Sequence, residues 1–115
     1  MRSVSFSILF MWTIILSGCS GSQGKKDEPS SKVAAKHMVL IKEMKFEPVA
    51  LEVNKGDTIL FVNQDFVVHD ITETAKTWSS SPLAPGKSWQ WVATESAGHY
   101  CSIHPVMKGK ITVKE

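Results

Sequence analysis

Cys101-Ser102-Ile103-His104-Pro105-Val106-Met107 places a thiol, an imidazole and a thioether in the spacing C-x-x-H-x-x-M, and a second imidazole, His69, follows the stretch Asn63 to Val68 well upstream. Together they form the donor set of a soft trigonal copper site, with one thiolate and two imidazoles in the plane and a methionine sulfur at longer range. Each donor has a separate job. The thiolate binds Cu(I) softly and mixes strongly with Cu(II), imidazole accepts either oxidation state, and the thioether stays close without favouring Cu(II). A rigid site between the two preferences rearranges little when an electron arrives or leaves. Three other chemistries compete for the same residues. A cysteine near a histidine can be structural. Zinc would take Cys101, His69 and His104, but methionine is not a usual zinc ligand and no fourth Cys, His or carboxylate falls at zinc spacing. Nucleophilic catalysis needs an activated Cys and His pair in a cleft, and the C-x-x-H loop predicts no substrate pocket.

These side chains need a frame that brings residue 69 to residue 101. Val49, Leu51 and Val53 alternate with Ala50, Glu52 and Asn54, the period-two pattern of a strand buried on one face. Lys55-Gly56-Asp57 reads as a turn, Thr58 to Val62 and Val67 to Thr72 as two further strands, and Trp89 and Trp91 alternate across another. Ile111 and Val113 share a face of the last strand, and residues 73–87, with Ser79 to Ser81, Pro82, Pro85 and Gly86, read as loop. No amphipathic helix is evident. The pattern predicts an all-β domain over residues 37–115, an antiparallel Greek-key β-sandwich of about seven to eight strands.

The chain of 115 residues holds one small domain at most. Its formal net charge of +2 is too mild for binding nucleic acid through counterion release, and no apolar run reaches the roughly 20 residues of a membrane-spanning helix. Neither a dinucleotide-binding nor a phosphate-binding glycine loop is present. Residues 1–18 read as an export signal, with Arg2 ahead of an apolar run from Ile8 to Leu16. Leu16-Ser17-Gly18-Cys19 resembles the bacterial lipobox, which predicts lipidation of Cys19 and anchorage to a membrane. Residues 19–36, rich in Ser, Gly and Lys and containing Pro29, read as a flexible linker, reaching on the order of 20 to 25 Å. With Cys19 alkylated, Cys101 is the remaining thiol in an oxidising compartment, periplasmic or cell-surface, where a free cysteine needs a reason.

Residues 37–115 resemble the cupredoxins, the plastocyanin and azurin superfamily, and the short ligand loop is most similar to that of amicyanin. The likeness covers Phe46-Glu47-Pro48 (F-x-P), Val53 to Thr58 (V-x-x-G-D-T), Asn63 to His69 (N-x-D-x-x-x-H) and the closing stretch Lys108 to Val113. The resemblance implies one copper ion on His69, Cys101, His104 and Met107, supported by Asp70 and Asn63. It implies a non-enzymatic carrier cycling between Cu(II) and Cu(I) by outer-sphere transfer with transient protein partners such as a dehydrogenase, cytochrome or oxidase. The electron would leave through a surface of His104, Pro105 and Val106, or by a second exit at Tyr100. Small, weak interfaces suit such a carrier, and the domain is expected to be monomeric. Eight lysines against nine acids leave it a net charge of −1, so long-range steering is weak, although Lys108 and Lys110 make a local basic rim.

Three departures from the family pattern stand out. Asp70 replaces a common Asn that bonds across to the ligand loop, and a carboxylate accepts such bonds without donating them. Thr94-Glu95 replaces a Pro-Gly turn, and Ala97 and His99 stand where tyrosines are frequent. His99 shares a strand face with Cys101, so it points inward, as a core residue or a further ligand. His37, at the linker junction, is expected in solvent, and Trp78, Trp89 and Trp91 are expected as core or cover. The rival function is copper capture or delivery without a redox partner; the placement of Met38 and Met44 in predicted strands favours the carrier.

Overall fold

The computed structural model describes Gly18 and residues 32–115; the rest of the expected signal segment, Cys19 and the linker up to residue 31 lie outside the described residues. Eight strands and no helix occur among them: β1 (Lys36–Lys42), β2 (Lys45–Glu47), β3 (Ala50–Asn54), β4 (Thr58–Asn63), β5 (Thr72–Glu73), β6 (Ser88–Val92), β7 (Ala97–Tyr100) and β8 (Lys108–Lys114). Alternation sets the inner face. In β4, Ile59, Phe61 and Asn63 are fully buried while the residues between them are half-buried. Val39 and Ile41 of β1 and Phe46 of β2 lie beside them in the same sheet, Val53 of β3 and Ile111 of β8 come from the other sheet, and this apolar layer runs on through Ile71 and Leu83 to Cys101 and Met107. Trp78, Trp89 and Trp91 are partly buried against that core as cover, with ring centroids 4.7 Å (Trp78 to Trp91) and 5.8 Å (Trp78 to Trp89) apart.

The strands form two four-stranded sheets, β2-β1-β4-β6 and β3-β8-β7-β5. The sandwich is all-β as expected, but its sheets are mixed, not antiparallel. β1 runs parallel to β4 (Met38 opposite Leu60), and β3 runs parallel to β8 (Leu51 opposite Ile111). The reason is the route of the chain: between β1 and β4 it crosses to the other sheet and back, so these neighbours need no tight hairpin and can run the same way. The expected strand from Val67 to Thr72 also shrinks. Only Thr72–Glu73 is a strand, and His69 makes an isolated bridge to Leu83. The side-chain amide of Asn63 takes the carbonyls of Val67 (2.9 Å) and Leu83 (2.8 Å), which folds the apolar stretch into a loop. Pairing puts the ends of β1 and β4 beside the starts of β2 and β6 in one sheet and the end of β7 beside the start of β8 in the other. Bonds from Asp70 to Cys101 and Ser102 join the two ends, so residues 64–71 and 101–107 converge at one pole.

His99 is a core residue. It is 2% exposed and packs edge-on against Phe46 (4.7 Å between centroids) and Phe61 (5.4 Å). Neither ring nitrogen finds a hydrogen-bond partner, and burial pushes the pKa down to about 4, so the ring is neutral at ordinary pH. Its neighbour on β8 is Gly109, paired with it in register. A Cβ on Gly109 would collide with Nε2 of His99, lying 2.6 Å from its Cε1 and 3.1 Å from the Val49 carbonyl oxygen. Gly109→Ala is therefore expected to destabilise the fold by about 1 to 3 kcal/mol, as overpacking does. In a double-mutant cycle with His99→Ala most of that penalty should disappear, since the ring that the new Cβ meets is then gone; chemical denaturation of the four proteins measures it.

The opposite pole is closed by Asp57. Its carboxylate accepts from the amides of Ala35 (2.9 Å) and Asn54 (3.0 Å) and pairs with Nε2 of His37 at 2.8 Å, so His37 is half-buried rather than free in solvent. These contacts hold the Asp57 pKa at about 2, the His37 bond contributing most. Because the folded value lies below the ordinary 3.8, ionised Asp57 favours folding above about pH 4, and that contribution is lost as pH falls through about 2. Asp57→Asn should lower stability at neutral pH and flatten its decline across that acid window, read from acid-unfolding curves of both proteins.

Candidate metal centre

Cys101 directly follows β7, and Lys108 opens β8 opposite Tyr100, so seven residues must turn the chain between paired strands. The loop closes on itself: the Cys101 amide donates to the Met107 carbonyl (3.1 Å) and the Met107 amide to that of His104 (2.9 Å). This turn points Cys101 and Met107 into the core, 0% and 2% exposed, and leaves His104 half-buried at the surface. His69 arrives on the segment that joins β4 to β5. Its backbone is clamped to Leu83 in both directions, at 3.2 and 2.7 Å, and its side chain is fully buried.

The two loops bring three donor atoms together. Nδ1 of His69 lies 3.7 Å from the Cys101 sulfur, Nδ1 of His104 lies 3.9 Å from it, and the two nitrogens are 3.2 Å apart. All three lie within 4.8 Å of one another. A point equidistant from the three is about 2.1 Å from each, within the roughly 2.0 to 2.3 Å of metal bonds to imidazole nitrogen and thiolate sulfur. The protonation pattern agrees. Nε2 of His69 faces a carboxylate oxygen of Asp65 at 2.9 Å, so Nε2 carries the proton and Nδ1 presents a lone pair toward the sulfur. That lone pair is free to share a metal ion with the Cys101 sulfur once the thiol gives up its proton on binding. The donor set therefore fits a soft metal ion.

Around these donors, the Asp70 amide points at the Cys101 sulfur at 3.4 Å. The Asp70 side chain, 5% exposed, reaches back across the site: it accepts from the Ser102 amide (2.7 Å), the Ser102 hydroxyl and the Thr72 hydroxyl (3.3 Å). The cross-link that an Asn would make is thus kept, because Ser102 and Thr72 supply all the donors. Asn63 acts at one remove. Besides the two carbonyls it binds, its side-chain oxygen accepts from the Asp65 amide (2.9 Å), so it shapes the His69 loop through backbone groups. Asp65 is a functional residue that the sequence reading quoted in a motif but assigned no role. Its bonds to His69 and to the Met44 amide hold its carboxyl below the usual range, and a carboxylate four residues before a histidine was the available signal.

Residues expected at an electron-transfer surface lie on the same pole. His104 is half-buried, Pro105 is exposed and Val106 is 85% exposed. Phe66, on the His69 loop, adds an exposed ring that sequence reasoning missed. Tyr100 is half-buried on the outer side of β7, opposite in direction to the buried His99 and Cys101.

Residues 6–113 match the family described as Cupredoxin-like domain. The methylamine utilization protein MauL of Methylophilus methylotrophus is 27% identical over 94% of this chain and 67% of its own. Amicyanin of Paracoccus denitrificans is 27% identical over 67% of this chain and 64% of its own, so the chain spans about two thirds of either relative. Among solved structures, a purple cupredoxin from Nitrosopumilus maritimus superposes with a TM-score of 0.63 at 26% identity, covering 68% of this chain and 99% of that one.

Proposed function

Since the chain belongs to the cupredoxin-like family, we propose that it is a copper electron carrier, not an enzyme, whose single ion is held by His69, Cys101, His104 and Met107. The observation that carries this reading is the convergence of Cys101 sulfur with one nitrogen from each of two histidines brought from different loops. A bound copper ion supplies a one-electron couple between Cu(II) and Cu(I). The protein's part is to keep the donors still. Asp65 fixes the face that His69 presents, the Asp70 amide donates to the Cys101 sulfur, and the closed loop from Cys101 to Met107 ties the other ligands to β8. Burial of Cys101, His69 and Met107 excludes water from one side. His104, next to the exposed Pro105 and Val106, is the side through which an electron passes to a partner. An apolar surface of this kind suits brief contacts with a dehydrogenase, cytochrome or oxidase by a monomeric domain. Tyr100 offers a second exit. We place the protein outside the cytoplasm, exported by residues 1–18 and anchored to a membrane, inner or outer, through a lipid on Cys19.

One observation favours the rival reading, copper capture or delivery. Met38 lies in β1 yet is 55% exposed, and Met44 lies at a hairpin tip, 39% exposed, so the two thioethers are open to solvent instead of buried in strands. A single experiment separates the readings: measure electron self-exchange of the copper-loaded protein by NMR line broadening, and offer the Cu(I) form to a chelating apo-acceptor. Rapid self-exchange with copper retained supports the carrier. Slow exchange with prompt transfer of copper overturns it in favour of delivery.

A further inference from the structure

We propose that the tip of the β1–β2 hairpin is a positioning device for His69, acting through the backbone amide of Met44 on Asp65. This deepens the reading of His69 as a ligand and rests on it. Lys42 pairs with Lys45, so the hairpin closes through Glu43 and Met44 alone. Both have positive φ, 51° and 59°. Two-residue hairpins of that hand favour Asn and Gly, because side chains with a Cβ crowd the backbone there. Glu43 and Met44 have no such excuse, and a conformation of this kind persists only where its surroundings enforce it.

The surroundings are the His69 loop. In a two-residue turn the amide of the second residue takes no part in the strand ladder, and here it donates to Oδ2 of Asp65 at 3.0 Å. The same oxygen bonds Nε2 of His69 at 2.9 Å. A second bond, from the Gln64 amide to the Ile41 carbonyl (2.8 Å), fastens the loop to the end of β1 beside it. The remaining Asp65 oxygen holds only the Phe66 amide, at 3.2 Å. Without the Met44 amide, one bond from its own neighbour would be left to steer a side chain that is 13% exposed. The hairpin thus sets the direction of the Asp65 carboxylate, and the carboxylate sets the tautomer and tilt of His69.

The test is made on the metal-free full chain, so it stands or falls separately from copper binding. Histidine 15N NMR of the wild type should show His69 protonated at Nε2 alone, with slow exchange of that proton. Inserting one glycine between Glu43 and Met44 displaces the amide, and should mix the two His69 tautomers and speed Nε2 proton exchange at least tenfold. Asp65→Ala should do the same, and combining the two should add nothing. The double substitution Glu43→Asn with Met44→Gly keeps the amide and relieves the turn; it should raise the thermal midpoint while leaving the His69 spectrum as in wild type. A His69 spectrum unmoved by the insertion in a folded protein, or moved by the strain-relieving pair, would overturn the proposal. In the copper-loaded protein, the insertion should weaken copper retention by roughly 10- to 100-fold, the usual cost of a lost outer partner.

Discussion

Cys101→Ser is expected to remove the sulfur-to-copper charge-transfer absorption entirely and to weaken copper binding by more than the 10- to 100-fold typical of losing an outer partner. The fold should survive the change. Cys101 is fully buried beside Nδ1 of both His69 and His104, at 3.7 and 3.9 Å, so a serine hydroxyl placed there has two nitrogen acceptors within a short adjustment. A satisfied hydroxyl in a buried site costs on the order of 1 to 2 kcal/mol, far less than an unsatisfied one. The metal-free variant should therefore still unfold cooperatively, roughly 4 to 16 °C below the wild type, while the copper chemistry is lost. Absorption titration with Cu(II) and thermal unfolding of the apo form measure the two halves. If the variant kept an intense charge-transfer band, the thiolate assignment would be wrong.

Asp70→Asn is expected to raise the reduction potential. The side chain is nearly buried, its backbone amide faces the Cys101 sulfur, and among the described residues no cation pairs with its carboxylate. A negative charge so placed favours the more positive oxidation state of a bound ion. Asparagine has the same shape, and Ser102 can turn its hydroxyl from donor to acceptor, so the cross-link survives while the charge does not. Removing one charge at this range is worth on the order of 1 to 3 kcal/mol. For one electron that is roughly 40 to 130 mV. Ser102→Ala supplies the control: it breaks the hydroxyl bond and keeps the charge, so it should move the potential much less. Voltammetry on the three proteins decides, and equal potentials for wild type and Asp70→Asn would contradict the argument.

How legible all this was depends on where the information sits. The candidate loop stood out because Cys101, His104 and Met107 are close in sequence and chemically distinctive, and the strand alternation around Val53 and Ile111 pointed to core positions. What could not be read depended on distant backbone groups. Val67 to Thr72 looks like a strand by composition, yet the Asn63 amide claims the carbonyls that bend it into a loop. The parallel pairing of β1 with β4 follows from the path of the chain between sheets, which no local pattern encodes. His37 looked like a linker residue because its partner, Asp57, is 20 positions away. Asp70 was noticed as a departure, but that Ser102 would supply the matching donors emerged only from the fold.

The central claim is that one copper ion takes its strongest bonds from the sulfur of Cys101 and a nitrogen each of His69 and His104. Visible and electron paramagnetic resonance spectra of the full chain loaded with one equivalent of Cu(II) test it most directly. An intense charge-transfer band with narrow parallel copper hyperfine splitting is the predicted result. Weak ligand-field absorption with wide splitting, as nitrogen and oxygen donors alone produce, would contradict it.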